Sequence, residues 1–205
     1  MGRHAQSIEG SVLNRVKSRG RGSVFTPGDF LDLGSRSAID KALSRSAKSG
    51  VLRKLARGVY DYPRVDRKLG VLSAPTVDIA QALRGNHSAR LQVSGATAAN
   101  LLGLSSQVPA REVFLTDGPS RSVKIGRRQI VLKHTTPRQM ATAGRVSGTV
   151  IQALRWLGPS NVDGRVLSLL RRNLSPGDKK VLKNDLRHAP IWVAEVLRKV
   201  VGGGE

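Results

Sequence analysis

The chain has 205 residues, with 35 Lys or Arg against 14 Asp or Glu, and a formal net charge of +21 at pH 7. A charge of this size is typical of proteins that bind a polyanion such as DNA, RNA or an anionic membrane, although a merely basic protein has the same composition. The absence of cysteine excludes disulfides, zinc fingers and thiol catalysis. Aromatic residues make up 3% of the chain, which argues against stacking of single-stranded bases on aromatic rings.

The opening segment MGRHAQSIEG has no apolar run of the kind found in signal peptides. No stretch elsewhere approaches the roughly 20 apolar residues that span a bilayer. We therefore expect a cytoplasmic protein without membrane contact, associated with the nucleoid if its partner is DNA.

The first part of the chain predicts two helices around a short strand. Apolar residues recur with helical spacing over 7–19, and residues 23–25 suit a strand. Thr26 as a cap, with Pro27 at the first helical position, starts a second helix that ends at Gly34.

A third helix, capped by Ser35, has two distinct faces. Ile39 and Leu43 point inward, and Ser46 shares that side, where its hydroxyl would have to donate to the carbonyl of Ala42. The outer face carries polar and basic residues spaced by three and four positions: Ser37, Lys41, Ser44, Arg45 and Lys48.

Residues 51–62 turn at Arg57-Gly58 and suit a twisted β-hairpin. The order helix, strand, helix, tight turn, helix, hairpin is that of a winged helix-turn-helix. We therefore predict such a DNA-binding domain over 1–68, in which the third helix enters a groove and the hairpin grips the backbone.

A linker over 63–75 is expected to lead into a second domain over 69–205. The predicted fold class is α+β, with the winged helix followed by a mixed α/β domain that has a small sheet and several helices. Thr76 is expected to cap a helix with Val77, Ile79, Ala80 and Leu83 facing inward. The other expected elements are a helix over 96–102, strands over 112–116, 122–125 and 129–134, helices over 148–157, 162–173, 178–188 and 190–201, and a disordered tail over 202–205.

The start of the third helix holds the candidate base contacts. Ser35, Arg36 and Ser37 stand where a recognition helix meets base edges, and Arg36 suits a bidentate contact with guanine. Lys41, Ser44, Arg45 and Lys48 follow the same side and are expected at phosphates, which position the protein without specifying sequence. The alternative is an ordinary solvated face.

The hairpin crowds three cations into a short span, namely Arg53, Lys54 and Arg57. A narrow minor groove attracts arginine, so Arg57 at the tip is expected to insert there, while its neighbours hold the backbone. The alternative is a charged edge strand that prevents sheet-to-sheet association.

Much of the positive charge lies beyond the predicted winged helix. Residues 1–68 hold 15 of the 35 Lys or Arg and 6 of the 14 Asp or Glu, so more than half of the net charge of +21 lies in residues 69–205. A basic hairpin over 120–134 offers further backbone contacts. Its candidates are Arg121, Lys124, Arg127 and Arg128. A DNA surface that spans both domains and dispersed charge that only raises non-specific attraction both remain open.

Residues for catalysis are sparse, so we expect no enzyme activity, no metal and no cofactor. The four histidines (His4, His87, His134 and His188) lie far apart, without metal-ligand spacing. Asp178 has the D-x-K spacing of some metal-dependent nucleases, but no partner carboxylate stands nearby. A nucleic-acid-processing enzyme is the remaining catalytic alternative.

The phrase SVFTPGDFLDLGSRSAIDKALSRSAKSGVLRKLARGVYDYPRVD resembles the AbiEi-type antitoxins of bacterial type IV toxin–antitoxin systems, in their short-chain actinobacterial-like branch. The combination of Phe-Thr-Pro, Gly-Ser, a recognition helix, Gly-x-Leu and Arg-Gly-x-Tyr carries the resemblance. The later VSGATAANLLGLSSQVP, followed by VFLTDGPSR, is similar to the start of that family's second domain. Together these phrases cover most of residues 7–135.

The resemblance implies a winged helix that binds inverted repeats in the promoter and represses its own operon. It also implies a toxin similar to nucleotidyltransferases, which is counteracted without any need for direct contact. The rival interpretation is an interaction module, in which the basic second domain neutralises an acidic toxin by direct contact and DNA binding is secondary.

Overall fold

A computed structural model of the chain describes residues 7–85, 88–107 and 109–202. The described residues form a mixed α+β structure with eight α-helices and nine short strands in three sheets, which confirms the predicted class. They divide into two units, of which the first holds the residues up to Gly85 together with Val123–Gly126. His4, His87 and residues 203–205 of the expected disordered tail lie outside the described residues.

The first unit is built around α1 (Ile8–Arg19) and α2 (Arg36–Lys48). Ser7 caps α1 by accepting from the Gly10 N–H, and Ser35 caps α2 by accepting from the Ala38 N–H. Both caps satisfy N–H groups that a helix start leaves without an internal partner. The helix limits therefore follow the sequence closely.

The predicted second helix is only a single 3-10 turn, Pro27–Phe30. Thr26 and Asp29 form a capping box there, which starts the turn as expected. The carbonyl of Asp29 accepts from Arg15 Nη1 at 2.8 Å. This long-range contact takes the place of the i+4 backbone bond that would continue an α-helix.

The core of the first unit lies between the helices and a three-stranded sheet. The buried Ser46 hydroxyl donates to the Ala42 carbonyl at 3.0 Å, as predicted. The buried apolar residues of this core are Val12, Val16, Phe25, Phe30, Ile39, Ala42, Leu43, Leu52 and Tyr60.

The sheet has the order β1-β3-β2, from β1 (Val24–Phe25), β2 (Arg53–Ala56) and β3 (Val59–Asp61), all antiparallel. The predicted turn lies where Gly58 adopts a φ of 70°. That left-handed conformation is open to glycine at little cost, so the turn residue follows from the backbone. A register shift at Leu55 bends β2 just before the turn.

The predicted linker is instead structured. It forms a two-stranded hairpin, β4 (Val65–Asp66) with β5 (Gly70–Val71), because the Asp66 carboxylate accepts from the N–H groups of Lys68 and Leu69. Helix α3 (Thr76–Arg84) then packs against β1 and β3. The first unit therefore extends beyond the predicted boundary at residue 68.

The start of α3 differs from the sequence expectation. Pro75 occupies the cap position, while Thr76 is the first helical residue and is buried. Val77 was expected inside and is 41% exposed. Pro75 accepts the first helical bond from the Ile79 N–H, and Ile79, Ala80 and Leu83 are buried as predicted.

A four-stranded sheet is formed by β6 (Leu91–Val93), β7 (Arg111–Thr116), β8 (Arg121–Ile125) and β9 (Arg128–His134), in the order β6-β7-β9-β8. It belongs to the second unit except for the end of β8 from Val123, which groups with the first unit. β7 and β9 run parallel, whereas β6 pairs antiparallel with β7. Sequence reasoning missed β6, a strand of three residues without turn signals of its own.

Five helices complete the second unit: α4 (Gly95–Leu101), α5 (Val146–Leu157), α6 (Gly164–Asn173), α7 (Pro176–Asp185) and α8 (Ile191–Gly202). Their apolar faces share one core, with Leu154, Leu170, Leu182 and Leu197 fully buried. The helix expected over 178–188 is split, because Leu186–His188 tightens into a 3-10 turn after α7.

Candidate nucleic-acid interface

The outer face of α2 is exposed along its whole length. Ile39, Leu43 and Ser46 are buried on the inner side of the same helix. Every side chain that the sequence assigned to the groove lies in the exposed class: Ser35, Arg36, Ser37, Lys41, Ser44, Arg45 and Lys48. We call these seven residues the α2 outer face.

The centre of the α2 outer face holds two cations. Lys41 and Lys48 have no ion-pair partner among the described residues, and Ser37 and Ser44 alternate with them along the same line. At 100° per residue, these four positions point directly away from the buried side. The arrangement provides ammonium and hydroxyl donors at one-turn spacing for an anionic surface.

Arg36 forms an exposed ion pair with a carboxylate on its own helix. Its Nε donates to both oxygens of Asp40, at 3.1 and 3.0 Å, and the two side chains are 61% and 49% exposed. The Nη atoms of Arg36 have no partner among the described residues. Because a bidentate guanine contact needs two parallel N–H groups, the unpartnered Nη atoms leave such a contact open.

Arg45 forms a weaker tether, with Nε 3.5 Å from Glu9 Oε2 on α1. The arginine side chain is 66% exposed, so the pair is largely screened by water. A phosphate could therefore replace Glu9 at little cost.

The β2–β3 hairpin presents two exposed cations, Lys54 on β2 and Arg57 at the turn. Neither has an ion-pair or hydrogen-bond partner in the described part of the chain. Gly58, beside Arg57, allows the tight reversal that makes Arg57 the outermost side chain of the hairpin.

Arg53 serves the fold through its Nε and Nη2 atoms, which leaves only Nη1 without a partner among the described residues. It donates to Asp61 from Nε at 3.1 Å and from Nη2 at 2.5 Å, and Nη2 also donates to the Leu72 carbonyl at 2.9 Å. Asp61 is 1% exposed. The sequence placed Arg53 with Lys54 because the two are neighbours, but they point to opposite faces of the strand.

The β4–β5 hairpin adds basic side chains that sequence reasoning missed. Arg64, Arg67 and Lys68 are exposed there, and Leu69 beside them is 78% exposed. Backbone N–H groups at Leu69 and Lys68 hold the pKa of the Asp66 carboxyl below its ordinary value, so this acid stays ionised within the turn. The spacing from Asp66 to Gly70 was the available turn signal.

The second set of predicted contacts is not brought onto one face. Arg121 and Lys124 lie three residues apart on β8, which points them to opposite sides of the strand, and Arg127 is exposed in the following turn. Arg128 instead pairs with Glu112 at 2.6 Å, and that glutamate is 6% exposed.

The described part of the chain holds no group of three His, Asp or Glu side chains placed to bind a metal ion. Asp178, the acid of the D-x-K motif, accepts from Ser175 Oγ at 2.7 Å in a capping box at the start of α7. Its position is therefore accounted for by helix capping. No helix in the described ranges is long and apolar enough to cross a membrane.

Fold and surface together define an α+β protein of two units with an exposed basic helix followed by a basic hairpin. A family model described as "Family of unknown function (DUF6088)" matches residues 11–181, and the chain belongs to this family. A solved structure, described as the crystal structure of RV2827C protein from Mycobacterium tuberculosis, is similar over 95% of this chain and 76% of that chain, with 18% identity and a TM-score of 0.42. No curated protein matches the chain.

Proposed function

We propose that this protein is a DNA-binding antitoxin of a type IV toxin–antitoxin system, which represses its own operon by binding inverted repeats in the promoter. In this proposal the first unit is a winged helix, α2 is the recognition helix, and the β2–β3 hairpin is the wing. The observation that carries the proposal is the α2 outer face, exposed throughout and followed directly by the exposed cations Lys54 and Arg57.

Sequence is read at the start of α2. Recognition helices contact base edges with their N-terminal residues, and here Arg36 stands at the first helical position, paired with Asp40. Ser35 is committed to the helix cap through the Ala38 N–H, so Ser37 is the better base contact of the two. Lys41 and Lys48, further along, meet phosphates.

The wing contributes through Lys54 and Arg57, and the β4–β5 hairpin adds Arg67 and Lys68 on the same unit. Each phosphate that such a cation neutralises releases a condensed counterion, which favours binding at low salt. Arg53 contributes less to this contact, because Asp61 and Leu72 occupy its Nε and Nη2 atoms.

A gel-shift titration of the promoter of the protein's own operon, against scrambled DNA of equal length and base composition, tests the proposal. The promoter should bind at least about a thousandfold more tightly than scrambled DNA, as specific operators do. Equal affinity for the two DNAs would overturn the repressor proposal and leave only a non-specific binder.

The antitoxin role has a separate test in cells. We propose that the toxin resembles nucleotidyltransferases, that it is counteracted without stable contact, and that the antitoxin resides in the cytoplasm at the nucleoid. Co-expression should rescue growth while the two proteins fail to co-purify. A complex that survives high salt would instead favour direct neutralisation by the basic second unit, with DNA binding secondary.

A further inference from the structure

A cavity of about 300 Å³ opens in the second unit between α5, the segment 136–142 and the start of α8. The side chains that define its chemistry are Thr142, Gln152, Arg138, Arg155 and His188. Pro190 forms part of the wall. None of the described residues that line it is an Asp or Glu, so the wall offers hydrogen-bond donors without any carboxylate.

Two of these polar side chains are buried without a protein partner for a donor group. Gln152 is 7% exposed; its Oε1 accepts from Ser94 Oγ at 3.4 Å, and its amide nitrogen has no partner among the described residues. Thr142 is 4% exposed, and its hydroxyl likewise has no partner in the described ranges. Neither donor atom is sealed from solvent, so both can be reached from the cavity and are free to donate to an occupant.

The cations at the mouth of the cavity favour an occupant with negative charge. Arg138 and Arg155 are exposed and have no ion-pair partner in the described part of the chain. In the same unit, Arg90, Arg128 and Arg145 each pair with a carboxylate. The two cavity arginines therefore keep their charge available to an anion.

The start of α8 supplies further donors beside His188, whose Nε2 accepts from the Arg187 Nε–H at 3.3 Å. The first backbone bond of α8 runs from the Ala194 N–H to the Pro190 carbonyl, so the N–H groups of residues 191–193 have no partner within the helix. The first turn contains no acidic side chain. A helix start of this kind favours a negative charge nearby.

We propose that this cavity binds the phosphate group of a small phosphorylated molecule. The planar guanidinium groups of Arg138 and Arg155 match the oxygens of a phosphate, while Gln152 and Thr142 donate from the buried end. A volume of about 300 Å³ stands at the lower end of ligand pockets, which limits the occupant to about the size of a mononucleotide. None of the residues that line the cavity is among those proposed to contact DNA.

Isothermal titration calorimetry of the full chain with inorganic phosphate and with AMP, at constant ionic strength, tests the inference. At least one probe should bind saturably with one site per chain, and Arg155→Ala should raise its dissociation constant by at least about tenfold. Arg172→Ala, which removes an exposed arginine on α6 away from the cavity, should leave the constant unchanged. Absence of saturable binding by both probes, or equal loss in the two variants, overturns the proposal.

Two further measurements test whether the buried donors contact the ligand and whether the cavity is separate from DNA binding. Binding should shift the side-chain amide signals of Gln152 in ¹⁵N-resolved spectra, and unmoved signals during saturable binding would place the ligand elsewhere. Arg155→Ala should retain the promoter affinity of the unaltered chain. A marked loss of that affinity would assign the cavity arginines to DNA and contradict a small-molecule site.

Discussion

Arg53 and Asp61 face each other across the β2–β3 hairpin, with Arg53 Nη2 2.5 Å from Asp61 Oδ2. The same nitrogen donates to the Leu72 carbonyl, so one guanidinium ties the hairpin to the chain that follows β5. The carboxylate is 1% exposed, whereas the arginine side chain is 33% exposed. This pair holds the hairpin that carries Lys54 and Arg57.

Asp61→Ala should lower the free energy of unfolding by about 3 kcal/mol, because removing one partner leaves the other charge poorly solvated. Urea denaturation measures the change. Asp32→Ala is the matched control, since it breaks a 2.6 Å pair with Arg15 in which Asp32 is 63% exposed, and it should cost less than about 1 kcal/mol. Equal losses in the two variants would contradict a structural role for Arg53.

Lys48→Ala and Lys54→Ala should each weaken promoter and scrambled DNA binding alike. Each should also reduce the slope of log affinity against log salt by about 1, since each removes one phosphate contact. Filter binding at several salt concentrations gives the slope. Lys17→Ala removes the same charge from an exposed position on α1 and should leave the slope nearly unchanged.

Arg36→Ala should behave differently from the lysine variants. Loss of a bidentate base contact costs about 1–3 kcal/mol on the promoter and little on scrambled DNA, so specificity should relax. Competition between the two DNAs measures this ratio. An equal loss of affinity for both DNAs would show that Arg36 contacts phosphates and not bases.

Gly148→Ala should destabilise the second unit by about 3 kcal/mol. A Cβ at this position in α5 would overlap the Gln92 side chain and the Thr142 carbonyl, and a backbone atom cannot move aside cheaply. Gly164→Ala, at the start of α6, meets nothing within 4 Å and should leave stability unchanged or slightly higher. Thermal unfolding of the two variants provides the comparison.

Acid should weaken the second unit through Asp117. The hydrogen bond from the Arg90 guanidinium holds the pKa of Asp117 below its ordinary value, so folding favours the ionised form. This stability is fully present above the unfolded pKa of about 4 and is lost as pH falls through the lower folded pKa. Asp117→Asn should flatten the dependence below about pH 4 in urea melts at graded pH, whereas Glu195→Gln on α8 should retain it.

The order of elements in the first unit was predictable because its signals are local. The spacing of apolar residues set the two faces of α2, and the cap at Ser35 set its start. The same period placed Ser46 inside, where its bond to the Ala42 carbonyl was the remaining option for a buried hydroxyl. The winged-helix interpretation and its DNA contacts remain predictions.

Tertiary structure decided the matters that depend on residues distant in sequence. A charged stretch over 63–75 was expected to be a linker, yet Asp66 closes it into a hairpin and α3 docks on β1 and β3. Arg53 looked equivalent to Lys54 until Asp61 and Leu72 were placed beside it.

The sequence by itself determined the α+β class, the exposed α2 outer face and the basic hairpin, because helix and strand periodicity are read from neighbouring residues. Only the tertiary structure decided that Arg53 and Arg128 are used by the fold, since their partners Asp61 and Glu112 come from other strands. It also brought Thr142, Gln152 and His188 around one cavity. No local sequence pattern predicts that these residues lie close together, because their proximity follows from how the helices of the second unit pack.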